Sequence, residues 1–246
     1  MDIIAALTES VDAGAYWRKL KERLKKEGNE TVTNCHSLKM VAPDGKMRLT
    51  DVADTEALFR LIQSIPSPKA EPFKLWLAKV GYERIEENED PEKTIDRAMA
   101  TYLTKGYSKE WINQRLKSID VRKELTDEWE QRGVKHGQEF AILTDEIIKA
   151  WSGMNTKGYK QFKNLKKENL RDNMTNLELV LNMLAEATTT EISKEKNPQS
   201  FEESKRIAKR GGQIAGNTRK EIESSSGKKV ITSQNAKEIR KIKKVK

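Results

Sequence analysis

Residues 108–131 read SKEWINQRLKSIDVRKELTDEWEQ. Trp111, Ile112, Leu116, Ile119, Leu125 and Trp129 recur at helical spacing while charged residues fill the positions between them, which predicts one long amphipathic helix with a buried face. Both tryptophans are expected in a core. The same pattern continues toward the C-terminus over about 138–151, 176–192 and 201–223, with Ser152-Gly153 and the run from Ser224 to Gly227 as stops. Just before it, a further helix covers about 92–103, with Gly106 as a break.

The first third of the chain is different. Asp12 is a candidate N-cap for a helix over 13–27 that carries Tyr16, Trp17, Leu20 and Leu24, and Gly28 is its stop. The period then changes to two over 31–36 and 38–41, and Pro43-Asp44-Gly45 turns the chain into Lys46-Met47-Arg48-Leu49. This is a hairpin signal. Helical pattern returns with Ala57, Leu58, Leu61, Ile62 and Ile65, breaks at Pro66-Ser67-Pro68, and restarts through Phe73, Trp76, Leu77 and Val80. The expected fold is α+β and predominantly α-helical. Its expected parts are a small hairpin-plus-helices unit over 1–88, a helical domain over 92–200 after the Asn88-Glu89-Asp90-Pro91 linker, and a basic helical C-terminal segment over 201–246.

The chain has 246 residues, 36% of them hydrophobic and 35% charged, with one cysteine and two histidines. No apolar run approaches the roughly 18 residues that would span a bilayer. A lone cysteine forms no internal disulfide, and so few histidines disfavour a zinc site. A reduced, cytoplasmic protein without metal or cofactor is expected.

The net charge of +9 is localised. Residues 1–200 carry 33 basic and 33 acidic side chains, whereas residues 201–246 carry 14 and 5. A basic end on a neutral body is the footprint of a protein that meets a polyanion, the alternative being a solvated tail kept for solubility. The candidate phosphate contacts are Lys160, Lys163, Lys166, Lys167 and Arg171 in one segment, and Lys205, Arg206, Lys209, Arg210, Arg219 and Lys220 in the other. Charge reversal at Lys163, Lys166 and Lys167 is expected to weaken DNA binding without unfolding the chain. Tyr159 and Phe162 are candidates for stacking on bases, with core packing as the alternative. Ala208, Gly212, Ala215 and Gly216 place small residues on one helix face, for close approach of another helix or of a phosphate backbone.

Signatures of catalysis are missing. No Gly-x-x-x-x-Gly-Lys-Ser/Thr loop occurs. Cys35 and His36 are neighbours on an expected strand, so their side chains diverge and do not make a nucleophile and base. Asp44-Gly45-Lys46 has the order of the end of a nuclease motif, but its proline and hairpin setting make it a turn. His136 has no motif partner. No enzymatic activity is expected.

Two stretches resemble known families. Residues 51–77, DVADTEALFRLIQSIPSPKAEPFKLWL, resemble the N-terminal domain of the Bro family, the baculovirus repeated-open-reading-frame proteins and their phage antirepressor relatives. Residues 163–192, KNLKKENLRDNMTNLELVLNMLAEATTTEI, resemble the C-terminal half of DNA-damage-inducible protein D, and KSIDVRKELTDEW at 117–129 joins the two in that family's order. Bro-type domains usually carry a strand or hairpin before the Tyr-Trp helix, so the domain reads as shortened at its N-terminus, with a sheet that a partner strand could complete. The resemblance implies a non-catalytic, DNA-binding accessory protein of the SOS-type damage response that modulates repair or recombination proteins. The alternative is a prophage antirepressor-like regulator that acts by binding protein. Implied partners are single- or double-stranded DNA and a recombinase filament or repressor. A homo-oligomer is expected.

Overall fold

The computed structural model describes residues 2–8, 10–28, 35–42 and 44–236. It is an α+β chain, mostly helical, in two compact units, Met1–Thr94 and Ile95–Lys246. Residues 31–34 of the strand expected over 31–36, and Pro43 of the turn, lie outside the described residues.

The first unit contains α1 (Asp2–Thr8), α2 (Ala13–Lys26), β1 (His36–Val41), β2 (Met47–Val52), α3 (Thr55–Gln63) and α4 (Glu71–Glu89). The sequence pattern had given no element for α1. α2 starts where the Asp12 carboxylate accepts a hydrogen bond from the Ala15 N–H at 2.8 Å, and stops at Gly28, whose φ is +70°. β1 and β2 pair antiparallel from His36↔Val52 to Val41↔Met47. The Asp44 carboxylate accepts from the Lys46 N–H at 3.3 Å and pairs with Arg48, so it shapes the turn as expected.

Trp17, Leu20 and Leu24 pack with Ile4, Leu61, Ile62, Ile65 and Ala70 to form the core of this unit. The hairpin is pinned to α2 through Asp51. Its carboxylate accepts from the Trp17 indole N–H at 2.8 Å, the Lys21 ammonium at 2.7 Å and the Ser37 hydroxyl at 2.7 Å. These three bonds hold the Asp51 pKa far below the usual carboxylate range. Burial pushes the half-buried Cys35 thiol up, and the Asp51 charge adds to the effect. α4 forms where the helical pattern restarts, with Trp76 and Val80 exposed.

The second unit contains most of α5 (Glu92–Thr104), then α6 (Lys109–Gln131), α7 (Gln138–Ser152), α8 (Thr156–Phe162), a 3-10 turn (Arg171–Asn173), α9 (Asn176–Lys196) and α10 (Phe201–Ser226). Trp111 and Trp129 are buried, as their spacing predicts, and the Trp111 indole donates to the Met174 carbonyl at 2.8 Å. Ile119 is the exception on α6 and stays exposed. The extensive helix pairings run from α6 to α9, from α9 to α10, and from α10 to α7.

α10 is therefore a central helix of the second unit. Its small residues explain why. A Cβ on Gly212 would lie 2.6 Å from the Ile147 carbonyl oxygen, one on Gly216 would lie 2.7 Å from that of Ala150, and one on Gly211 would meet Thr189 and Ala185. The glycines thus let α10 sit directly against the backbones of α7 and α9. Of the two uses open to this small-residue face, helix packing is the one realised.

Candidate nucleic-acid interface

α10 has two unlike faces. Ser200 caps it by accepting from the Glu203 N–H at 3.3 Å, and Gly227, with φ +66°, ends it. Ser204, Ile207, Ala208, Gly211, Gly212, Ala215 and Gly216 face inward and are buried. Arg206, Lys209, Arg210, Gln213, Asn217 and Lys220 are exposed. These six fall at i, i+3, i+4, i+7, i+11 and i+14, which at 3.6 residues per turn forms one stripe on the outer side, roughly 21 Å long.

No aspartate or glutamate occurs between Arg206 and Lys220. Arg206 touches Glu203 only at 4.0 Å, and Lys209, Arg210 and Lys220 have no ion pair among the described residues. Two of the expected contacts on this helix do not face outward. Lys205 leans toward α7 and pairs with Glu146 at 3.7 Å, while Arg219 turns inward and donates to the Ser152 carbonyl at 3.2 Å.

The first basic segment divides more sharply. Lys163 was expected to meet phosphate and is instead fully buried. Its ammonium lies 2.9 Å from the buried Glu178 carboxylate and donates to the carbonyls of Thr232 at 3.0 Å and Gln234 at 2.9 Å. Glu178 also accepts from the N–H groups of Thr175 at 2.7 Å and Thr232 at 3.3 Å. The reason is electrostatic: a carboxylate that closes the N-terminal capping box of α9 inside the core requires a cation, and Lys163 is the residue in reach. The expected DNA contact at Lys163 is thereby corrected to a structural one.

Arg171 is likewise drawn inward by Glu186, which is buried and lies 3.5 Å from Arg122 as well. Lys160, Lys166 and Lys167 remain at the surface without an ion pair among the described residues, although the Glu168 carboxylate accepts from the Lys166 backbone N–H at 2.6 Å. Of the two aromatics offered for stacking, Tyr159 is buried against Trp151 and Phe162 is exposed. Burial, then the Glu178 charge, raises the Tyr159 pKa. His136 pairs with Glu130 at 3.0 Å and rests on the Phe140 ring, a structural role.

A second feature went unread in the sequence. α7, α8 and the following loop bound a groove of about 810 Å³, with Arg122 of α6 in its wall. Arg122 donates to the Thr144 hydroxyl at 2.7 Å and lies over the Trp129 ring, and burial lowers its pKa to about 10, still protonated at neutral pH. Its cationic neighbours Lys157 and Lys160 lie three residues apart on α8, a spacing visible in the sequence but meaningless until α7 is placed opposite.

Among the described residues, no group of three or more histidine, cysteine, aspartate or glutamate side chains is placed to hold a metal ion, and no helix is long and apolar enough to cross a membrane. The family comparisons agree with this architecture. Residues 2–83 match the model of the BRO family N-terminal domain, and residues 104–244, more than half of the chain, match that of the DinD C-terminal domain. The chain belongs to the DinD family. Its DinD region spans α6 to α10, and therefore both the basic stripe and the groove. Together the two matches mark a DNA-damage-inducible or phage antirepressor-like regulator, in families that are regulatory and not known as enzymes. Comparison with the curated proteins finds no match.

Proposed function

We propose that this protein is a DNA-binding accessory factor of a bacterial damage response that modulates repair or recombination proteins without catalysis, acting in the cytoplasm at the nucleoid. The outer stripe of α10 carries the reading. Arg206, Lys209, Arg210 and Lys220 line one exposed face without an intervening carboxylate, which is the arrangement that neutralises a run of phosphates. Gln213 and Asn217, on the same stripe, are suited to further hydrogen bonds with the nucleic acid.

The test is fluorescence anisotropy of the full chain with single- and double-stranded oligonucleotides across a salt series. For a duplex, each neutralised phosphate contributes about −0.9 to the slope of log affinity against log salt. Charge reversal of Arg206, Lys209, Arg210 and Lys220 together should remove a slope of about 3 to 4. Unchanged affinity in the folded variant would refute the interface.

The groove beside Arg122 supports a second side to the function, binding of protein, which an antirepressor-like regulator would use alone. Self-association is supported by the exposed Leu38, Met40, Met47 and Leu49 of the hairpin, because apolar strands left in solvent tend to pair with another chain. Light scattering on the purified chain tests it, with a monomer at all concentrations as the opposing result.

A further inference from the structure

We infer that the groove between α7 and α8 is a docking site for an acidic peptide segment with apolar anchors, offered by a partner protein. The inference rests on the reading that this chain acts on other proteins, and supplies the chemistry of the partner.

Three observations carry it. The first is shape and lining: about 810 Å³ of open groove, mostly apolar in its lining, with Ala141, Ile142 and Leu165 among its residues. Volumes of this size fall in the range that binds ligands. The second is charge. Lys157, Lys160 and Lys166 line the groove without an ion-pair partner among the described residues, and Arg122 stands in its wall. The groove's own carboxylates are engaged elsewhere, since Asp145 accepts from the Thr156 N–H at 2.6 Å and Glu146 faces Lys205 at 3.7 Å. A net positive groove therefore remains to be matched by an anionic ligand. Third, the pair that Arg122 makes with Glu186 is a loose one: the guanidinium nitrogen facing that carboxylate at 3.5 Å is buried without a hydrogen bond, and one of the two carboxylate oxygens is in the same condition.

The apolar lining argues for peptide over nucleic acid. Base recognition without sequence preference uses open aromatic faces. The ring that lines the groove, Phe140, is buried and packed against Trp129 and His136, with centroids at 5.4 and 4.5 Å. Aliphatic side chains are the natural fit for what is left. Gln138 and Gln161 line the same groove and can hydrogen-bond a peptide backbone.

The experiment uses the full chain and a fluorescein-labelled eight-residue peptide of alternating aspartate and leucine, with asparagine-for-aspartate and serine-for-leucine versions as controls. The acidic apolar peptide should bind, and each control should bind at least about tenfold more weakly, the size expected from a few exposed charge pairs. Charge reversal of Lys157, Lys160 and Lys166 together, all on the surface, should produce a similar loss while circular dichroism stays unchanged. Ile142→Asp, which alters the lining instead of the charge, should do the same. Charge reversal on α10 should leave peptide binding intact while abolishing DNA binding, so the two interfaces fail separately. Equal binding of the peptide by wild type and the lysine variant would overturn the proposal. So would loss of single-stranded DNA binding in the lysine variant with no peptide binding by wild type, which would reassign the groove to nucleic acid.

Discussion

Replacing Lys163 with alanine should destabilise the second unit by about 3 to 5 kcal/mol, the usual cost of leaving one member of a buried ion pair without its partner. The geometry supports the upper part of that range. At 2.9 Å and an effective dielectric of 20, the attraction between Lys163 and Glu178 is about 6 kcal/mol before desolvation is set against it. The carbonyls of Thr232 and Gln234 lose their donor in the same step. Urea denaturation of the full chain, followed by tryptophan fluorescence, measures the change, since Trp151 packs on Tyr159 one turn from Lys163. Lys160→Ala, at the surface, should stay within about 0.5 kcal/mol of wild type. Replacing Lys163 and Glu178 together by methionine and glutamine should recover much of the loss, because no buried charge is then left alone. A Lys163→Ala variant that loses less than about 1 kcal/mol would refute the assignment of Lys163 to the core and return it to the surface set.

Gly212→Ala should cost about 1 to 3 kcal/mol, because its new Cβ meets the α7 backbone at 2.6 Å and the helices must part; a thermal melt unchanged from wild type would contradict the close packing. Asp51 gives a pH prediction for the first unit. Its pKa is depressed in the folded state, so its contribution is complete above the ordinary carboxylate range near about 4 and is lost as pH falls below it. The Trp17 indole N–H, followed by NMR, should titrate with a midpoint well under that range, and a midpoint near the ordinary value would show that the three hydrogen bonds do not hold in solution. Asp51→Ala should cost about 2 kcal/mol at neutral pH by loss of charge-assisted bonds, read as faster hydrogen exchange across β1 and β2.

Much of this molecule is written in short-range signals. Asp12, Ser108 and Ser200 cap their helices, Gly28, Gly153 and Gly227 end theirs with positive φ, and the tryptophan spacing on α6 points into the core. Those features depend on neighbours within a turn or two. The candidate site depends on distant partners, and there the pattern failed. Lys163 looks like any surface lysine until Glu178 is placed opposite it, and Arg171, Arg219 and Lys205 are claimed by Glu186, the Ser152 carbonyl and Glu146. The outward positions of α10 were legible in principle, since its glycines and alanines mark the buried side, but only once packing had been chosen over phosphate approach. Arg122 was hidden for a similar reason: its groove is made by residues 16 to 44 positions further on.

The burial of α10 between α7 and α9 also bears on how the protein is made and broken. Gly212 meets Ala150 across more than sixty residues of chain, so this pairing forms only after a long loop has closed, and it should delay folding relative to helices that pack on their sequence neighbours. Until α10 is synthesised, the apolar faces of α7 and α9 are left open, and a nascent or nicked chain that stops before Phe201 has no finished second unit. Because the basic stripe is the reverse side of the same helix, the phosphate-binding face would be presented in register only by a completed body. A protease that severs the loop before α10 would then break the covalent link between the basic stripe and the helices that hold it in place.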